Sequence, residues 1–548
     1  MLIPEETSTL GEAFFQAVAL WPDQALISAP ANDARNYLPQ GQDYSYRDTG
    51  AQVRRLMQQY ADAGWGCAHR IGLLLENRPE HFFHKLAMNA LGACCVPINA
   101  DYRARELAYL IDHAALDLVV VLSDRVAQLQ EALALAARRP HVVVLEDFAR
   151  AVPAALRPAA PDQVSAQTPA SILYTSGTTG RPKGCVLSHR YELAAGHWYA
   201  TRGGLASLRD AQERLYNPLP LFHVSASVLS FYAMMLTGNC QVQTDRFQPS
   251  RWWTEIRSSG ATIVHYLGVV VQLLMAQPPT QQDREHAVRF GLGAGVEPQL
   301  HAMFEQRFGF PLLEIWGMTE MVRALVDNMA PRQVGTRTFG RAVPGVEVRV
   351  VDDQGRDLAD GEAGEMLVRH SAQTPRKDFF SGYLDDEVAT EAAWEGGWFH
   401  TGDIVTRHAD GMLRFVERRK NIIRRSGENI APAEIEALLQ THPLVRQVAV
   451  LAVKDELREE EVLACVALNG PAPADPASRL ATAQALFDFC NSQLAYHKVP
   501  GWFWITDAIP ATATQKIQKH SIFAPGTDPR ELPGMVDLRA RKKRATRS

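Results

Sequence analysis

The sequence offers no disulfide framework. Its 548 residues hold seven cysteines, an odd number in which only Cys94 and Cys95 are adjacent, and no C-x-x-C pair that would bind a metal. A reducing interior is the natural compartment. The start, Met1-Leu2-Ile3-Pro4-Glu5-Glu6, lacks both the basic residues and the apolar block of a secretory leader. Long apolar runs are missing too, since the longest charge-free stretch, 215–244, is broken by Asn217, Pro218, Pro220 and His223. That stretch suits a buried pocket wall better than a membrane span. A net charge of -5 gives no long-range pull toward nucleic acid, and no internal repeat is present. What remains reads as a cytoplasmic chain with 46% apolar and 21% charged residues, too long for one core, so at least two domains are expected.

The patterning is rich. Thr9-x-x-Glu12 ahead of Phe14, Phe15 and Val18 predicts a capping box and an amphipathic helix, and a second helix is expected over 46–63, stopped by Gly64. Apolar runs at 71–75, 94–98, 116–122 and 141–145 alternate with helical stretches, among them those from Pro79 and Ala104. This alternation predicts a right-handed parallel sheet covered on both faces. Residues 151–168, rich in Ala, Pro and Gln, read as a connector. A second alternating block is expected over about 185–330. Beyond it Val346, Val348 and Val350 alternate with Glu347 and Arg349, and a turn at 361–365 leads into Met366-Leu367-Val368, the pattern of antiparallel sheet. From about Asn421 the chain carries its own mixture of helix and strand. The charged run 539–547 reads as a solvated end.

The sequence is organised around Tyr174-Thr175-Ser176-Gly177-Thr178-Thr179-Gly180-Arg181-Pro182-Lys183-Gly184. Four Ser or Thr residues and three glycines give a turn whose backbone N–H groups can converge on an anion, with Lys183 adding charge. That is chemistry for a nucleotide triphosphate; the plainer alternative is a solvated Gly/Thr turn. It is not the loop of the P-loop NTPases, because the fifth residue after Gly177 is Pro182 where that pattern needs glycine. Downstream, Trp316 in Glu314-Ile315-Trp316-Gly317-Met318-Thr319-Glu320 can stack on a purine. Thr319 can reach a phosphate oxygen and Glu320 can hold magnesium, unless the pair is merely exposed beside a core Trp. In Trp398-Phe399-His400-Thr401-Gly402-Asp403 the carboxylate can accept both hydroxyls of a ribose, or cap its own turn.

Taken in this order, the segments resemble the signature of the adenylate-forming enzymes: acyl-CoA synthetases, nonribosomal peptide adenylation domains and beetle luciferases. The resemblance implies ATP, Mg2+ and coenzyme A as cofactors, with Thr175, Ser176, Gly177, Thr178, Thr179 and Lys183 on the phosphates. Gly293, Ala294, Gly295, Trp316 and Gly317 would border the adenine and acyl group, and Asp403 and Arg418 would hold the AMP ribose or phosphate. It makes Thr319, Glu320 and Lys516 catalytic, the last in Pro510-Ala511-Thr512-Ala513-Thr514-Gln515-Lys516, with Glu320 on the metal. Lys420 becomes a hinge, although Glu417 stands where glycine is common and Asn421 where aspartate is usual. Gly427, Glu428 and Asn429 fall on the CoA channel. His223, His265, Gly268 and Met318 are expected at the acyl pocket, His223 being otherwise a core histidine; Lys519 is read as a surface lysine.

The implied fold is α/β: a large N-terminal domain (1–419) of two doubly wound sheets plus a β-rich subdomain, then a small mobile α+β domain (420–548). Within the superfamily, Met275-Ala276-Gln277-Pro278-Pro279, Phe415-Val416-Glu417-Arg418-Arg419 and Phe489-Cys490-Asn491 resemble the bacterial crotonobetaine/carnitine-CoA ligases, which points to a small or medium organic acid. A trimethylammonium acid would want an aromatic cage, for which Phe231, Tyr232 and Trp316 are candidates. The partners implied are a small carboxylic acid, ATP and CoA, without nucleic acid or membrane; a homodimer is allowed. Three rivals stay open: an adenylation enzyme that loads a separate carrier protein, luciferase-like oxygenation, and a catalytically inactive adenylate-binding module.

Overall fold

Strands that are apolar along their whole length must be covered from both sides, and the chain builds two sheets of this kind. The computed structural model describes residues 1–161, 163–175, 182–425, 428–455, 458–494, 496–511, 517–524 and 526–542; of Lys420, Arg424, Glu428, Asn429, Glu459 and His520 it describes the backbone alone. The first sheet has seven strands in the order Gly382–Tyr383, Lys183–Ser188, Pro169–Thr175, Cys94–Pro97, Arg70–Leu74, Leu118–Val121 and His141–Val144. The last five run parallel, as the alternating pattern predicts. Leu118, Val119, Val120 and Val121 are fully buried on both faces.

The flanking helices also begin and end where expected. Thr9 and Glu12 close a capping box on Leu10–Leu20, and Gly64, at φ +83°, follows the helix Tyr46–Asp62. The block from about 185 alternates strand and helix as expected. Its first strand, Lys183–Ser188, joins the first sheet and returns antiparallel beside Pro169–Thr175, with Thr175 opposite Lys183. Length is the reason. A parallel return needs a crossover of a dozen or more residues, and only the seven residues 176–182 separate the two strands.

The second sheet has eight strands, in the order Met321–Val326, Leu312–Met318, Phe290–Ala294, Ile263–Leu267, Arg214–Asn217, Cys240–Gln243, Ala25–Ala29 and Gln42–Ser45. Its interior pairs are parallel and both end pairs antiparallel. By contacts the chain divides into two compact units, Met1–Val348 with Val368–His400, and Arg349–Leu367 with Thr401–Ser548. The second unit is thus drawn larger than 420–548, because it takes in most of the antiparallel strands Glu347–Val351, Ala363–Arg369, Phe399–Arg407 and Leu413–Arg418. It also holds a six-stranded sheet in which Val445–Asp455 and Glu459–Leu468 form the longest pair, packed on the helices Pro432–Gln440 and Pro476–Asn491. No described helix is long and apolar enough to cross a membrane.

Charge is buried with its partners. The Lys85 ammonium, on the helix Pro79–Ala90, donates to both carboxylate oxygens of Glu192 at 2.9 and 2.8 Å and to the Ser171 hydroxyl. The side chains are 1% and 0% exposed, so removing one strands the other in the core. Lys85→Met is therefore expected to lower the stability of the first unit by about 3–5 kcal/mol, read as a shift in its denaturant midpoint. A second outcome concerns acid. Burial holds His81, His84, His189 and His265 neutral, each pulled down to about 3. The unfolded chain protonates these rings near 6.5 while the folded unit does not, so stability is full above that value and falls as pH drops below it. The loss is roughly 1.4 kcal/mol per pH unit for each ring. Unfolding free energies measured from pH 7 to 5 check this, and a flat profile contradicts it.

Candidate active site

Two antiparallel strands flank the candidate phosphate loop. Thr175 ends one strand and Lys183 begins the next, facing each other across the register. Ser176, Gly177, Thr178 and Thr179 lie outside the described residues. Two contacts from the helix Ala104–His113 hold the base of the hairpin: the Tyr109 hydroxyl donates to the Pro182 carbonyl at 3.0 Å, and His113 Nδ1 hydrogen-bonds the Tyr174 hydroxyl at 2.8 Å. Lys183 Nζ sits 4.6 Å over the Tyr383 ring and 3.9 Å from the Asp386 carboxylate. Together with Leu384 these residues line a cleft of about 110 Å3.

Tyr383 joins this base to Glu320. The Tyr383 hydroxyl donates to Glu320 Oε1 at 2.9 Å, and the buried Cys185 thiol contacts both Thr175 and Glu320. Burial first, and then the Glu320 charge, push the Cys185 thiol and the Tyr383 hydroxyl far above their ordinary ranges, so both stay protonated. Thr319 and Glu320 form the turn between Leu312–Met318 and Met321–Val326, where Met318 pairs with Met321 and the Thr319 carbonyl accepts the Tyr191 hydroxyl at 2.7 Å. A carboxylate in that setting offers the oxygen ligand a hard cation prefers. Among the described residues no cluster of three or more His, Cys, Asp or Glu could hold a metal.

Two glycines make the neighbouring loop by letting backbones touch. A Cβ on Gly293 would lie 2.2 Å from the Tyr266 carbonyl oxygen, and one on Gly268 would lie 1.8 Å from the Gly295 carbonyl oxygen. Ala294 ends the strand, and the Glu314 carboxylate, held above the usual range by burial, accepts the N–H groups of Gly295 at 3.0 Å and Val296 at 3.1 Å. Trp316 packs against Phe339, with ring centroids 6.0 Å apart, while Gly317 beside it is exposed. His223 is exposed against Phe222, just ahead of the π-helix Ser225–Ser230. His265 differs: it is stacked on Tyr199 inside the sheet and bonded to that hydroxyl at 3.2 Å. The aromatic cage is not formed. Phe231 and Tyr232 are fully buried, Phe231 stacked on Phe82 at 4.3 Å and Tyr232 turned to Lys85 and Glu192, because the helix Phe231–Leu236 packs inward along that side.

The second unit carries the ribose candidates. Asp403 and Arg418 face each other on adjacent antiparallel strands, with Arg418 Nε 2.7 Å from Asp403 Oδ1. Gly402, at φ +67°, makes the bend before Asp403, and its N–H donates to Glu365. The two departures from the family pattern bond to each other: Asn421 Nδ2 donates to Glu417 Oε1 at 3.1 Å, while Glu417 Oε2 accepts the Ala433 N–H at the start of the next helix. Glu428 and Asn429 lie on a short strand paired with Ile423–Arg425. Gly427 and Lys516 lie outside the described residues, as do the side chains of Lys420, Glu428 and Asn429. Lys519, expected at the surface, instead pairs with Glu436 at 2.8 Å, both four-fifths buried, because the helix Pro432–Gln440 presents that carboxylate.

Residues 14–384 match the family of AMP-binding enzymes, and residues 434–516 match the AMP-binding enzyme C-terminal domain. The chain belongs to the AMP-binding enzyme family. A crotonobetaine/carnitine–CoA ligase of Shigella dysenteriae is 30% identical to this AMP-binding enzyme over 497 residues, which is 87% of this chain and 93% of the relative. The same-named protein of Escherichia coli O157:H7 is 29% identical over the same shares. Two solved structures share the fold. They are an o-succinylbenzoate CoA synthetase from Bacillus subtilis in complex with its acyl-adenylate intermediate (TM-score 0.78, 22% identity, 94% and 98% of the two chains) and a benzoate CoA ligase from Burkholderia xenovorans (TM-score 0.77, 21% identity, 94% and 99%).

Two side chains of this AMP-binding enzyme that matter to the site escaped the sequence reading. Glu314 stands at the head of the Trp316 motif, and only the fold shows it bracing the Gly295 turn. Tyr383 follows Gly382 on a two-residue strand, 63 residues beyond the carboxylate it serves. Tyr383→Phe removes one hydrogen bond to a charged group, about 1.5 kcal/mol, and is expected to raise the KM for ATP roughly tenfold while leaving the KM for the acid in place. Steady-state kinetics with each substrate varied in turn check the split.

Proposed function

We propose that this AMP-binding enzyme is an ATP-dependent acid–thiol ligase, which activates a carboxylic acid as its acyl adenylate with release of pyrophosphate and then passes the acyl group to coenzyme A. The observation that carries the reading is the Tyr383 hydroxyl, which ties the buried Glu320 carboxylate to the strand pair that bears Thr175 and Lys183. The crotonobetaine/carnitine–CoA ligases support a thiol as acceptor.

The chemistry explains the residue set. Bringing a carboxylate to an anionic α-phosphate sets like charges against each other, so cations must stand between them. A unit charge at about 4 Å is worth roughly 4 kcal/mol at an effective dielectric of 20. Lys516 takes that place in the family pattern, and Lys183 serves the phosphates that leave. Glu320 would hold a magnesium ion, which would supply the remaining neutralisation of charge. Asp403 and Arg418 hold the ribose, and the Gly293 to Gly295 turn braced by Glu314 flanks the base. In the second half-reaction AMP is already a good leaving group, so the thiol attacks without a dedicated base.

One site cannot keep Lys516 inward and a thiol channel open at once. A rotation of 420–548 against 1–419 about Lys420 would exchange Lys516 for the Gly427 to Asn429 loop. The acid is small or medium in size. With Phe231 and Tyr232 committed to the core, a trimethylammonium group has no cage from these rings, and His223, Gly268 and Met318 remain the acyl-pocket candidates. All seven cysteines are free thiols, six of them buried, which supports a reducing, cytoplasmic setting.

The test is a screen of carboxylic acids for AMP release that requires both ATP and CoA. Release with ATP alone, followed by loading of a carrier protein, would favour the stand-alone adenylation reading; no release with any acid would favour an inactive binding module. Within the ligase reading, Lys516→Ala is expected to slow adenylation roughly 10²-fold or more and to leave thioester formation from supplied acyl adenylate nearly intact. Equal loss in both halves would remove Lys516 from its role.

A further inference from the structure

The charged run 539–547 is expected from the sequence to be a solvated end; Arg541 is indeed exposed, but Leu538 just ahead of the run and the Lys542 side chain within it are buried. Met535–Asp537 joins the six-stranded sheet beside Trp502–Thr506, Leu538 is buried in the core, and its N–H donates to the Gly501 carbonyl at 2.8 Å. From there each cation meets an acid. Arg539 pairs with Asp455 at 2.8 Å, Arg541 with Asp488 at 3.0 Å, and Lys542 with Glu461 at 2.6 Å.

Glu461 is shared. Its Oε1 takes the Lys542 ammonium and its Oε2 takes Arg425 Nε at 2.8 Å; the Lys542, Glu461 and Arg425 side chains are 2%, 1% and 3% exposed. Arg425 is the last residue of Ile423–Arg425, the strand that pairs with Glu428–Ile430 and presents the loop assigned above to the CoA channel. Gly501 makes the room for this meeting, since a Cβ there would lie 2.8 Å from the Glu461 carboxyl carbon and 2.9 Å from Arg539 Cγ. A single buried carboxylate cannot be left with half of its charge partners at no cost, so the strand end at Arg425 and the segment at Lys542 depend on each other.

We propose that Lys542, acting through Glu461, is a positioning residue that fixes the Ile423–Arg425 and Glu428–Ile430 hairpin for the thiol acceptor, so that segment 539–542 tunes the CoA half of the reaction without touching either substrate. The link to CoA rests on the ligase reading given above; the mechanical link does not. Burial pulls the Lys542 ammonium down to about 8, against the upward pull of the Glu461 carboxylate.

The experiment uses the full chain with Lys542→Met and, as the conservative control, Lys542→Arg. Amide hydrogen exchange at 423–425 and 428–430 is expected to quicken roughly tenfold or more in Lys542→Met, with the strand Val445–Asp455 and the helix Pro476–Asn491 unchanged. CoA itself, titrated calorimetrically in the presence of AMP, is expected to bind roughly tenfold more weakly, with AMP affinity unchanged and both properties restored in Lys542→Arg. Unchanged exchange at the hairpin overturns the proposal. So does faster exchange throughout the second unit with both ligands weakened, which is the signature of lost stability alone. Faster hairpin exchange with undiminished CoA affinity takes the hairpin off the CoA path and also overturns it. A wild-type chain that binds no CoA defeats the ligase reading instead, and the exchange arm still decides the mechanical link.

Discussion

Burying the Lys85 ammonium is tolerable only because Glu192 and Ser171 meet it from two other elements, so the helices Pro79–Ala90 and His189–Ala200 and the strand Pro169–Thr175 must assemble together. Ser171 lies four residues before Thr175, the strand end next to the candidate phosphate loop. The antiparallel return then fixes Lys183 opposite Thr175, and the two-residue strand Gly382–Tyr383 on its outer edge brings up the Tyr383 hydroxyl. The position of Glu320 relative to Lys183 thus descends from a contact in the core. A charged group with no path to water is what gives the chemistry a fixed frame.

The same device recurs at smaller scale. Glu314 stiffens the Gly295 turn by accepting two backbone N–H groups, Glu417 accepts the N–H of Ala433, and Glu365 takes the N–H of Gly402 as well as the Arg419 guanidinium. Each acid stands at a place where the backbone turns sharply and a donor would otherwise lack a partner. None of these carboxylates need touch a substrate to matter. They make loops behave like parts of the sheets they leave.

Local signals in the sequence carried far, and failed where distance or direction decided. Thr9 with Glu12, Gly64, and the apolar run at 71–75 are read within a single turn or strand, and the structure places a capping box, a helix stop and a buried strand there. The direction of 183–188 is not written in its own residues, because an apolar strand looks the same whichever way it runs. Phe231 and Tyr232 have the right chemistry for a cage, but helix packing aims them at Phe82 and Lys85. The Tyr383 to Glu320 bond spans 63 residues and the Lys542 to Glu461 pair spans 81, so neither leaves a local pattern. Lys519, Arg539, Arg541 and Lys542, read as surface charges, pair with acids far away in the chain.

The bond between Asn421 and Glu417 has an implication for how such a chain can change over time. Where an aspartate is usual, this sequence needs an amide: a carboxylate at 421 would face the Glu417 carboxylate across a gap of about 3 Å, where like charges repel strongly. A glycine at 417 would leave the Asn421 amide without its acceptor and the Ala433 N–H without its cap. The two departures from the common pattern therefore suit each other, since changing either residue alone removes a hydrogen bond that the pair now makes.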